Sequence, residues 1–129
     1  MRAILYGVNT DAQAVALNGI ISFGNLVRRL GNSLHLANGA LITVGTGYTK
    51  VDANFTITAG AGTTTITLYK DGVPITGATA SVTTTANQIV TLTIPTVVLD
   101  YKCCGSTITA VLSGAAGTIT NAAIVAERV

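Results

Sequence analysis

The sequence predicts an all-β domain, a sandwich or barrel of short antiparallel strands. Three observations carry this. First, residues alternate cleanly from Tyr48 to Ala59: Val51, Ala53, Phe55, Ile57 and Ala59 point one way, and Lys50, Asp52, Asn54, Thr56 and Thr58 the other. Second, turn residues recur about every 8–12 positions, a spacing that favours a sandwich or barrel over βαβ units. Third, Thr, Val and Ile are abundant, Trp is absent and only two prolines occur, Pro74 and Pro95.

The elements follow in order. Ala3 to Val8 reads as a strand. Residues 10–30 are ambiguous. Thr10-Asp11-Ala12-Gln13 reads as a capping box before Ala14-Val15-Ala16-Leu17, but Asn18-Gly19 follows at once and would stop a helix after two turns. An irregular segment with short edge strands is the expectation. Leu34–Ala37 and Ala40–Val44 meet across Asn38-Gly39, a strong hairpin signal. Thr63–Lys70 runs into the turn Asp71-Gly72-Val73-Pro74. Ala78–Thr84 and Gln88–Ile94 flank Thr85-Ala86-Asn87. Pro95 is expected to break the chain there and leave Asp100 in a loop beside Tyr101-Lys102. Thr107–Leu112 and Thr118–Ala126 flank Gly114-Ala115-Ala116-Gly117. No linker, repeat or low-complexity tail divides residues 1–129, so one domain is expected.

Composition narrows the class. The chain has 129 residues and a mass of 13.0 kDa. Its mean hydropathy is +0.59, yet no apolar run approaches the roughly 18 residues that span a bilayer. Disorder is excluded by 49% hydrophobic residues and a net charge of +2. Charged residues make up only 9%, against about 25–35% for a comfortable soluble surface. Apolar surface is therefore expected to be covered by further copies of the chain. The polar strand faces are mostly Thr, which tolerates half-burial when its hydroxyl finds a partner.

Seven basic residues spread along the chain make no nucleic-acid footprint. Arg28 and Arg29, the only adjacent pair, read as solvated residues at a strand edge, with docking or phosphate binding as the sharper alternative. Cys103 and Cys104 are neighbours, and a disulfide between them would close a strained ring, so free thiols are expected. The apolar start at Met1–Tyr6 is cut short by Gly7, Asn9 and Asp11, so no signal peptide is expected and folding in a reducing cytoplasm is.

No catalytic set emerges. His35 stands alone on the polar side of a short strand, and a zinc site needs three or four ligands. Two adjacent thiols cannot close a tetrahedral site by themselves. Gly45-Thr46-Gly47-Tyr48-Thr49-Lys50 fails the phosphate-loop spacing and precedes a strand rather than a helix. Asn54-Phe55-Thr56 fits a glycosylation sequon in mid-strand. The acids Asp11, Asp52, Asp71, Asp100 and Glu127 form no recognisable acid–base couple, and Ser113-Gly114 lacks the nucleophile-elbow pattern. No enzyme activity, cofactor or metal is expected.

The second half carries a resemblance. Gly47-Tyr48-Thr49-Lys50-Val51 opens a long strand, Asp71-Gly72-Val73-Pro74-Ile75-Thr76-Gly77-Ala78 makes a hairpin, and Ala123-Ile124-Val125-Ala126-Glu127-Arg128-Val129 closes the chain. With Cys103-Cys104 before the penultimate strand, this order resembles the C-terminal domain of BclA-like spore-surface glycoproteins. It also resembles the stand-alone relatives found in phages and prophages of Firmicutes. The likeness covers roughly residues 33–129, without a collagen-like stalk.

The resemblance implies a ten-stranded jelly-roll sandwich of the tumour-necrosis-factor and complement-head type, assembled as a homotrimer. It places the strands around Tyr48–Ala59 and Gln88–Ile94 and the last strand in the inner sheet, with Tyr48 and Phe55 at the threefold contact. It further implies a non-enzymatic structural protein on the virion surface, a capsid decoration or fibre-head module with capsid proteins as partners and no membrane insertion. Residues 1–30, with Arg2, Arg28 and Arg29, would dock it. The alternatives are a spore- or cell-surface adhesive module and a receptor domain for host-surface glycans using Tyr6, Tyr69 or Tyr101.

Overall fold

Twelve strands build the chain in the computed structural model, which describes residues 3–100 and 105–128. They are β1 (Ala3–Asn9), β2 (Gln13–Val15), β3 (Ile20–Ile21), β4 (Asn25–Leu30), β5 (Leu34–Ala37), β6 (Ala40–Thr43), β7 (Gly47–Ala59), β8 (Gly62–Lys70), β9 (Val73–Thr84), β10 (Gln88–Asp100), β11 (Ser106–Ser113) and β12 (Gly117–Arg128). One sheet has the order β10-β7-β12-β1-β4, with β2 added on β12. The other has the order β5-β6-β11-β8-β9, with β3 added on β11. Five strands on each path give the ten expected, and β2 and β3 are short additions. All pairs are antiparallel, and the chain crosses repeatedly between sheets.

Local chemistry explains the register. The β5–β6 and β8–β9 connections are two-residue turns with positive φ at both positions: 52° and 75° at Asn38-Gly39, 51° and 83° at Asp71-Gly72. That is the backbone of a type I′ turn, whose twist matches the strands it joins. Asp71 also accepts the Thr107 N–H at 2.9 Å, tying the turn to β11. Residues 10–30 hold three short strands and, among the described residues, no helix, as Asn18-Gly19 led us to expect.

The core lies between the sheets. Val51, Ala53, Phe55, Ile57 and Ala59 of β7 are all buried, and they face Ile66, Leu68, Ile108 and Leu112 of the other layer. Phe23, in the connection between β3 and β4, packs its ring 5.7 Å from that of Phe55. Its N–H donates to the Gly39 carbonyl at 3.0 Å, which pins the irregular segment over the core. On the far side of the second sheet, hydroxyls pair across β8 and β9: Thr63 with Thr83 at 3.1 Å, Thr65 with Ser81 at 2.8 Å, and Thr67 with Thr79 at 3.1 Å. These pairs are the partners a Thr-rich face requires. The total accessible surface of 6570 Å² is close to the roughly 6,300 Å² of a compact monomer of this mass. The core is thus closed within one chain, and any covering by other copies concerns the outer faces.

Two expectations are corrected. Pro95 does not break the chain, because β10 runs thirteen residues through it, with Pro95 opposite Asp52. Among the described residues β10 ends its sheet, so an absent N–H is tolerated on the free edge. Asp100 is therefore the last residue of a strand and 3% exposed, not part of a loop.

Candidate functional site

Two places gather the unusual side chains: the outward face of the β10-β7-β12-β1-β4 sheet, and a buried polar cluster at one end of the sandwich.

The outward face follows from the alternation of β7. Residues opposite to Val51 and Phe55 in parity stand on it: Tyr48, Lys50, Asp52 and Asn54. Register extends the rows across the sheet. Tyr6, Val125, Asp52 and Pro95 form one row, and Ile4, Glu127, Lys50 and Val97 the next. Tyr48 lies opposite Leu99 at the end of the β7–β10 pair. Tyr48 is 55% exposed, Val97 58% and Val125 42%, so large apolar groups stand in solvent on this face, between the charged side chains of Lys50, Asp52 and Glu127. Tyr6, Asn54, Thr93, Ala123 and Val125 help line a shallow hollow of about 320 Å³ in its centre.

Phe55, expected at the same contact as Tyr48, is not on this face. It is fully buried against Phe23. Residues seven apart in a strand point to opposite sides, so Tyr48 and Phe55 cannot share one surface.

The end cluster centres on Asp100. Thr43 donates its hydroxyl to Asp100 Oδ2 at 2.7 Å and accepts the Ser106 N–H at 2.9 Å. Lys70 Nζ stands 3.7 Å from Asp100 Oδ1, and Arg128 Nη2 3.8 Å from Oδ2. The Arg128 guanidinium also donates to the carbonyls of Thr46 at 2.7 Å and Val44 at 3.1 Å. Thr43, Asp100, Ser106 and Arg128 are all buried. β6 and β11 of one sheet are thereby clasped to β10 and β12 of the other. Among the described residues the Thr43 hydroxyl is held by Asp100 and Ser106, which fixes the geometry of this end of the sandwich.

The other sequence candidates separate. Arg28 and Arg29 lie exposed on β4, and Arg29 Nη1 donates to His35 Nδ1 at 3.0 Å. His35 is thus an edge residue with a partner. Asn54 of the sequon is exposed in mid-strand on the outward face. Arg2, Tyr101, Cys103 and Cys104 lie outside the described residues. Among the described residues no group of three or more His, Cys, Asp or Glu could hold a metal ion. No helix of the described residues is long and apolar enough to cross a membrane.

No family model matches the sequence, and no curated protein matches it. Solved structures match throughout. Murine APRIL superposes with a TM-score of 0.79 at 11% identity, covering 100% of both chains. Eiger TNF from S. frugiperda gives 0.77 at 9% identity, over 100% of this chain and 92% of that one. The PRD1 vertex protein P5 gives 0.65 at 8% identity, over 98% and 95%. The fold is a jelly roll of the tumour-necrosis-factor type. In this jelly roll the strands expected in one layer, β7, β10 and β12, do share a sheet, with β12 and β10 on either side of β7. At such identities the likeness extends to the fold and no further.

Proposed function

We propose that the chain is a non-enzymatic structural module that works as a homotrimer, carried on a phage particle as a capsid decoration or fibre head. The observation that carries the reading is the outward face of the β7 sheet, where Tyr6, Tyr48, Val97, Leu99 and Val125 stand exposed. Apolar patches of this kind mark interaction surfaces. A threefold ring of like subunits covers such a face by heterologous contacts that close on themselves. An obligate interface of about 2,000 Å² or more would bring tens of kcal/mol of gross hydrophobic stabilisation, before the costs of association. The likeness to jelly rolls of the tumour-necrosis-factor type supports the trimer. The likeness to a vertex protein of the phage PRD1 supports the particle.

Two experiments test this. Val125→Glu puts a charge in the centre of the proposed contact and should release folded monomers; a variant that keeps the size of the parent protein rules this face out. Mass spectrometry of purified particles from the source of the gene should find the chain in fixed stoichiometry with capsid proteins. Its absence from particles would leave the trimer and remove the phage role.

A further inference from the structure

Among the described residues β4 ends its sheet and pairs with β1 alone. All six of its residues are exposed, including Leu26, Val27 and Leu30. An edge strand turns alternate N–H and C=O groups to solvent and so offers a template for one more strand. The register with β1 shifts between Tyr6 and Gly7, which leaves Val27 opposite no β1 residue. Arg28 stands opposite Tyr6, on the outward face, whereas Arg29 stands opposite Leu5 and reaches the edge of the other sheet at His35. Neither guanidinium meets a carboxylate among the described residues. Ile4, Val27, Leu30 and the two arginines line a hollow of about 460 Å³ beside the strand.

We infer that the open edge of β4 is a docking strand for an extended segment of another protein, one that alternates apolar and acidic residues. Main-chain hydrogen bonds to the free edge would supply affinity, and the hollow would seat an apolar side chain. The two guanidiniums, which meet no carboxylate among the described residues, select the charge of the guest. They also disfavour a second copy of this chain: antiparallel pairing of β4 with itself would set arginines opposite or diagonal to arginines, which destabilises a pair. The same charges guard an otherwise apolar edge against self-aggregation. The inference uses the edge of the strand rather than the face of the sheet, so it stands whether or not the chain trimerises.

The test uses the full chain and short dye-labelled peptides that alternate valine with glutamate or valine with lysine, read by fluorescence anisotropy. The glutamate probe should bind about tenfold or more tightly than the lysine probe, and added salt should shrink the difference. The double variant Arg28→Glu, Arg29→Glu should reverse the preference. Val27→Pro, at the position opposite no β1 residue, should weaken the glutamate probe by a similar factor with circular dichroism unchanged. Equal binding of the two probes, no binding of the glutamate probe, or indifference to these substitutions overturns the inference. So does self-association that grows with concentration and disappears in Val27→Pro, because the guest is then a second copy. A monomeric chain that still binds the glutamate probe counts only against the trimer.

Discussion

Arg128→Ala probes the clasp that closes one end of the sandwich. The substitution removes donors to the Thr46 and Val44 carbonyls, at 2.7 and 3.1 Å, and the cation 3.8 Å from Asp100. Both side chains of that ion pair are at most 5% exposed, so water cannot readily replace what is lost. Removing one partner of a buried pair costs about 3–5 kcal/mol, because it strands the other charge. Asp100 keeps the Thr43 hydroxyl at 2.7 Å and Lys70 at 3.7 Å, which places the expected loss near the lower end, about 3 kcal/mol. For a chain of this size that lowers the melting temperature by roughly 10 °C. Urea unfolding followed by circular dichroism, at matched protein concentration, measures it. A loss under about 1 kcal/mol would refute the view that the cluster is a buried structural clasp, since exposed pairs contribute that little.

Phe55→Ala should cost about 3–5 kcal/mol, seen as a lower urea midpoint, because the ring is buried and in contact with Phe23. Tyr48→Ala, on the exposed side of the same strand, should leave the unfolding of the isolated subunit nearly unchanged and weaken only the assembly, as analytical ultracentrifugation would show. Gly39→Ala should destabilise by at least about 1 kcal/mol in the same unfolding assay, because φ is 75° there and an added Cβ would meet the Ser22 hydroxyl.

Much of this architecture is legible in the sequence where one local rule acts alone. The period of two along β7 names its buried residues, and Asn38-Gly39 and Asp71-Gly72 name their turns, because φ > 0 at both positions suits few other residues. Errors arise where position in the sheet overrides a local rule. Pro95 reads as a break, yet β10 tolerates it at the margin of its sheet. The resemblance puts Phe55 with Tyr48 at the threefold contact, whereas its parity with Val51 and Ile57 assigns it to the core, where it lies. The clasp is not legible at all, because Thr43, Lys70, Asp100, Ser106 and Arg128 are brought together only by strand order across two layers. Phe23 is missed for a related reason: it fills the core from an irregular segment that carries no periodicity.

The native mass of the protein at micromolar concentration asks most directly whether the exposed apolar sheet face exists to be covered by sister subunits. A particle of about 39 kDa, three times the 13.0 kDa chain, is the expected result. A stable 13.0 kDa species that stays soluble with that face open to water would contradict it.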